Sequence, residues 1–200
     1  MFMRLLAFAL SLPMLAACSS LKETDTGRTA TEQMLHSTAA DRAAQQLALA
    51  IPPGTAVFVE ERYVDGQDSK YAVAAIRDRI LRRGARLVEE RGQAEMAVEL
   101  RLGALAIDDN NTLFGMPDFG VPIPLAGNVN LPEIPLFKKR TRQGVIKLAA
   151  TTLDAKTGSL VQAGDPVYGF AQKTDWGLLI FFSWSDNDLM PGEQNQWVGR

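Results

Sequence analysis

Ala94-Glu-Met-Ala-Val-Glu-Leu-Arg-Leu-Gly103 is the stretch on which the fold turns. Met96, Val98, Leu100 and Leu102 alternate with Ala97, Glu99, Arg101 and Gly103. A period of two sends successive side chains to opposite faces, so the segment reads as a strand with one buried and one wetter side. The pattern returns in Gly144-Val-Ile-Lys-Leu-Ala-Ala-Thr-Thr-Leu153. Asp154-Ala-Lys-Thr-Gly158 then makes a hairpin turn, with glycine where a positive φ is needed. Ser159 to Gln162 opens its partner strand, and Tyr168 to Gln172 reads as one more.

Two helices precede these strands. Thr29-Ala-Thr-Glu32 fits a capping box, in which a hydroxyl and a carboxylate satisfy the free amides of a helix start. The helix runs through Met34, Leu35, Ala39, Ala43 and Leu47 to about Ala50, where Ile51-Pro-Pro-Gly54 stops it. Ala56-Val-Phe-Val-Glu60 is a strand reaching toward Val64, and Asp65-Gly66 turns the chain. Asp68 or Ser69 caps a second helix whose Val73, Ile76 and Ile80 share a face. Gly84 suits its left-handed stop, and Ala85 to Val88 is a short strand. This order predicts an α+β fold: an antiparallel-rich sheet of about four to five strands with two helices packed on one face.

Residues 108–137 break the pattern. They hold five of the ten prolines, at 117, 122, 124, 132 and 135, yet stay apolar through Leu113, Phe114, Met116, Phe119, Val121, Ile123 and Leu125. The stretch reads as a long proline-rich loop, and such loops in compact domains are commonly functional. Its side chains either bury on their own sheet or form an interaction surface. The Trp176–Trp184 run has two readings as well. It is a last core strand, or, given its near-continuous apolarity, a contact with a subunit or a membrane surface. Lys138-Lys139-Arg140-Thr-Arg142 is a basic knot beside Leu136 and Phe137, suited to anionic headgroups or an acidic partner, or simply a charged lead-in to a strand. The candidate interaction residues are therefore Phe114, Phe119, Phe137, Lys138, Lys139, Arg140, Trp176 and Trp184.

The start of the chain carries an address. Met1-Phe-Met-Arg4, a short apolar run and small residues have the form of a secretory signal over residues 1–17. Leu15-Ala-Ala-Cys18 resembles the lipobox of bacterial lipoproteins. That resemblance implies cleavage before Cys18 and acylation of its thiol, which makes Cys18 a lipid anchor. Ser19 stands where similar lipoproteins retained in the inner membrane carry aspartate, so the sorting rule implies the outer membrane, facing the periplasm. Residues 18–28 are a polar tether, 29–175 one domain with the 108–137 loop, and 176–200 an apolar segment with a polar tail.

Composition narrows the function classes. Cys18 is the one cysteine, so the fold has no internal disulfide and rests on its core. From Cys18 onward 20 basic residues face 23 acidic ones, which argues against a nucleic-acid partner. His36 is the one histidine, with no second imidazole for a metal or relay, and reads as a packing or surface residue. Asp108-Asp109-Asn110-Asn111 and the Ser183–Asp188 cluster lack the spacing of a calcium loop and read as solvated turns. No phosphate-cradling loop and no catalytic constellation is present, so neither enzyme activity nor a cofactor is expected.

The lipid anchor, the leading helix, the Ala56–Val59 strand, the helix ending at Arg83-Gly84, the Ala94–Leu100 strand and the Thr152–Gly158 hairpin recur together. In that order they resemble envelope-assembly lipoproteins around the curli secretion channel lipoprotein and the lipoprotein activators of penicillin-binding proteins. More narrowly, Thr29–Leu35, Pro132–Arg140 and Gly144–Leu148 resemble a family of uncharacterised bacterial lipoproteins. The channel lipoprotein has long membrane hairpins, whereas the prolines of 108–137 predict that this stretch does not pair as such strands. The resemblance brings no catalytic residues. The lipid anchor, the compact α+β domain, the apolar segments outside the core and the absence of a catalytic constellation lead to the expectation of a non-enzymatic, outer-membrane-anchored scaffold or accessory subunit that self-associates or docks an envelope partner. The second reading is a periplasmic binding module that holds a lipid or other apolar ligand under the loop.

Overall fold

The computed structural model describes residues 27–66, 69–123, 127–179 and 181–189. The signal segment, Cys18, most of the tether, Asp68, Pro124, Leu125 and the tail from Met190 lie outside the described residues.

The first helix, α1 (Ala30–Gln46), starts as its sequence requires. The Thr29 hydroxyl accepts from the Glu32 amide, and the Glu32 carboxylate accepts from the Thr29 amide. Its buried face is Leu35, His36, Ala39, Ala40, Ala43 and Ala44. Four alanines let the helix axis come close to whatever lies beneath. The second helix, α2 (Ser69–Arg82), buries Val73, Ile76 and Ile80 and ends at Gly84 with φ of 82°.

The strands are β1 (Ala56–Glu60), β2 (Arg86–Leu87), β3 (Met96–Met116), β4 (Phe119–Ile123), β5 (Gly127–Leu131), β6 (Ile134–Asp154), β7 (Leu160–Ala163), β8 (Val167–Leu178) and β9 (Phe182–Asn187). Among the described residues seven of them form one mixed sheet. Its order is β2-β1-β3-β6-β8-β9, with β7 on β6. β1 is parallel to both β2 and β3, and the other pairs of this sheet are antiparallel. The α+β class and the two helices agree with the sequence reading. The sheet is larger than the four to five strands expected, because the short β2 and β7 both join it and residues 182–187 add β9 at its edge.

That stretch is the main correction. β3 and β6 are 21 residues each and pair from Met96↔Asp154 to Met116↔Ile134. The four described prolines are accommodated where sheets tolerate them. Pro117 and Pro132 fall in the breaks flanking β4 and β5, and Pro135 lies beside the register shift at Phe114/Gly115. Pro122 pairs with Asn128 in the separate two-stranded β4–β5 hairpin. The expected boundary between 175 and 176 likewise falls inside β8.

A second register shift, between Leu102 and Ala104, leaves Gly103 as the extra residue of a bulge. A bulge reverses which parity faces the core. Leu102 is therefore followed inward by Leu105 and Ile107, and all three pack against the main core. That core joins Leu35, Ile76, Ile80, Val57, Val98, Leu100, Ile146 and Leu148. Beyond it, no residue of β3 after Ile107 or of β6 before Gly144 is buried. There the sheet continues as a four-stranded ribbon of β3, β6, β8 and β9.

Candidate functional site

The ribbon gathers most of the expected interaction residues, and the register decides which face each takes. Phe114, Phe137, Leu178 and Phe182 stand opposite one another across the four strands in a single row. Two residues nearer the body the row is Thr112, Lys139, Trp176 and Trp184. The row after that is Asn110, Thr141, Thr174 and Asp186. Steps of two keep all three rows on the same face. Along this face the chemistry changes from apolar, through aromatic and cationic, to hydroxyl and carboxylate.

Side-chain contacts tie the rows together. Phe137 and Trp176 have centroids 6.0 Å apart at 59°, and Trp176 stacks on Trp184 at 6.1 Å and 6°. The Lys139 ammonium lies 4.6 Å from the Trp176 centroid, a cation–π arrangement. The Thr141 and Thr174 hydroxyls meet at 3.3 Å. Phe137, Trp176 and Trp184 thus shield one another, whereas Phe114 is 69% and Phe182 53% exposed.

The opposite face of the ribbon is ionic. Arg140 grips Asp109 through two nitrogens, with Nε 3.0 Å from Oδ2. Arg142 reaches Asp175 at 2.9 Å, Ser185 donates to the same carboxylate at 2.8 Å, and Lys138 meets Glu133 at 2.6 Å. The bidentate guanidinium of Arg140 holds the Asp109 carboxyl below its ordinary pKa. Burial pushes Asp175 up, but its hydrogen bonds from Ser185 and Arg142 outweigh that and leave it lowered. The basic knot is therefore divided. Lys139 belongs to the aromatic face, while Lys138, Arg140 and Arg142 are engaged in ion pairs on the other.

Other expected residues lie apart. Phe119 is half-exposed in β4, outside the rows. Asp108 to Asn111 and Ser183 to Asn187 are strand rather than turn. Alternation splits Asp108 and Asn110 from Asp109 and Asn111, so their oxygens do not converge on one ion. Among the described residues no cluster of three His, Cys, Asp or Glu side chains has metal-holding geometry. His36 is buried on α1. A cleft of about 640 Å³ between the helices is lined by the small side chains Ala44, Ala74 and Ala75 and by Asp41, Gln45, Tyr71, Asp78, Arg79 and Arg82. Burial, then the Asp41 carboxylate that accepts its hydroxyl, raises the Tyr71 pKa.

Leu178 and Phe182 complete the row without being among the candidates that the sequence offers. Their signal was present as alternation within 174–184, hidden by the apolar turn between the two strands. No curated protein matches the sequence. Residues 16–178, well over half of the chain, match the family of unknown function DUF6655, and the protein belongs to that family.

Proposed function

We propose that the protein is a non-enzymatic, lipid-anchored envelope protein, held at the outer membrane through Cys18 and facing the periplasm. There it serves as a scaffold or accessory subunit with the ribbon as its contact surface. One observation carries the reading: a row of four large apolar side chains, Phe114, Phe137, Leu178 and Phe182, crosses a ribbon that stands clear of the helix-covered core. Exposed contiguous apolar surface of this kind marks interaction sites. On the opposite face Arg140 pairs with Asp109 and Arg142 with Asp175, ion pairs that hold the strands together and suit a contact surface better than acid–base chemistry. Among the described residues of 108–137 most are strand, which favours this reading over a carrier with a loop folded across its ligand.

Metabolic labelling with a fatty acid, combined with membrane fractionation, tests the anchor. The parent chain incorporates label and travels with outer membranes, and Cys18→Ala does neither. Label or outer-membrane partition retained by Cys18→Ala overturns the reading. Mass measurement in mild detergent tests the scaffold role, which requires a defined complex with a second copy or an envelope protein.

A further inference from the structure

We propose that the apolar end of the ribbon lies in the interfacial zone of the same bilayer that carries the lipid anchor, with Trp176 and Trp184 at headgroup depth. The proposal rests on the Cys18 anchor and deepens it by naming what the ribbon touches. Three observations converge on a membrane rather than on a protein partner.

The first is the ordering of the rows. A protein interface has an apolar centre ringed by polar groups. Here polarity instead changes in one direction along the strand axis, row by row. Successive same-face rows are about 6.7 Å apart, so the passage from Phe114/Phe182 to Asn110/Asp186 takes ~13 Å. Headgroup-level aromatics beside a cation are the arrangement that bilayer interfaces favour, and Trp176, Trp184 and Lys139 supply it. The end exposes apolar side chains off this face as well, with the Lys138–Glu133 ion pair at the same level on the other face. Leu178 and Leu179 are adjacent and exposed, as are Phe181 and Phe182. A surrounding solvent accommodates that better than a flat partner.

The second is where the chain enters the fold. A Cβ at Gly144 would come 2.6 Å from the Leu35 carbonyl, and one at Gly169 would overlap the Ala39 carbonyl. Gly169 pairs with Ile146, two residues farther from the ribbon than Gly144. The start of α1 therefore points toward the ribbon, and Glu32 acts electrostatically on Arg140. The row of Phe137 lies seven residues beyond Gly144, about 23 Å at strand rise. Eleven tether residues, 18–28, reach ~36 Å when extended. The lipid and the apolar end can therefore occupy one membrane surface.

The third fixes the depth. β3 beyond the body and β9 are the outer strands of the ribbon. An open sheet edge leaves backbone amides and carbonyls without partners, and hydrocarbon does not accept them. With both edges open, the ribbon of a single chain therefore dips into the interface and does not span.

The test uses the full lipidated chain carrying Trp197→Phe, so that emission comes from Trp176 and Trp184. The chain is reconstituted in phosphatidylcholine vesicles with or without lipids brominated near the headgroup end of the acyl chain. Expected are quenching by the brominated lipid and a blue shift on binding. In the Phe114→Glu/Phe182→Glu double variant both are lost while the lipid still floats the protein with vesicles. Flotation with no quenching in the parent, or equal quenching in the double variant, overturns the proposal and leaves the anchor standing. If the variant instead dissociates a larger particle with quenching unchanged, the row packs against a second copy and the proposal is wrong. Failure of the parent to float overturns the anchor and this inference together.

Discussion

Leu35 rests on Gly144, with no room between the helix backbone and the strand for even a methyl group. Close approach of α1 to the sheet therefore depends on both partners being small: alanines on the helix, and Gly144 and Gly169 on the strands. Gly144→Ala or Gly169→Ala should push the helix outward. Overpacking of this sort costs about 1–3 kcal/mol, and in a domain of this size that lowers Tm by roughly 2–4 °C per kcal/mol. Thermal melts of the two variants check it, and an unchanged Tm at both positions would contradict the packing described.

Acid should loosen the ribbon before the body. Asp109 and Asp175 both have folded-state pKa values below their unfolded ones. Their contribution is complete above the unfolded carboxylate value, about 3.9, and is lost as pH falls from there through the lower folded values. Both carboxylates are partly exposed, so each contributes no more than about 1 kcal/mol. Hydrogen exchange at falling pH should open 108–116 and 134–143 while the core strands stay protected. Asp175→Asn should make the ribbon less stable at neutral pH and remove part of that acid sensitivity.

The readable parts of this fold are those set by local chemistry. The Thr29–Glu32 capping box, the Gly84 stop and the turn in which the Asp154 carboxylate accepts from the Lys156 and Thr157 amides all follow from neighbours in sequence. The far half of β3 is different. Asp108 to Thr112 are five polar residues in a row, exposed on both faces, so no alternation marks them as strand. Their state is set by pairing with Arg140, Arg142 and the rest of β6 some thirty residues away. The bulge at Gly103 also shifts the parity that had been legible up to Leu102. The candidate site suffers the same way: Phe114 and Phe182 are 68 positions apart in sequence, and only the register places them in one row.

The Asp154 turn offers a check on a locally determined element. Gly158 has φ of 71°, and no neighbouring atom lies within 4 Å of where a Cβ would stand. The cost of a side chain there is purely conformational. Gly158→Ala should lose roughly 1 kcal/mol, and Gly158→Asn distinctly less, because asparagine tolerates the left-handed region. Denaturant midpoints of the pair, with equal slopes, decide it; equal losses would mean that sterics rather than φ govern the turn.

The last expectation separates surface from core. Phe114 is 69% exposed at the end of the ribbon, whereas Ile76 is 1% exposed between α2 and the sheet. Truncating a buried Ile to Ala removes transfer energy and leaves a cavity, at about 2–5 kcal/mol. Phe114 contributes little packing to its own chain, so Phe114→Asp should stay within about 0.5 kcal/mol of the parent, as exposed substitutions do. The two variants should then part company in opposite ways. Ile76→Ala melts early yet, below its transition, keeps the contact made by the ribbon. Phe114→Asp melts with the parent and loses that contact. Melting curves and vesicle or partner binding, measured on both variants side by side, give the answer. A Phe114→Asp chain with a Tm lowered as far as that of Ile76→Ala would show that the apolar row is a second core, and the contact surface would have to be sought elsewhere on the molecule.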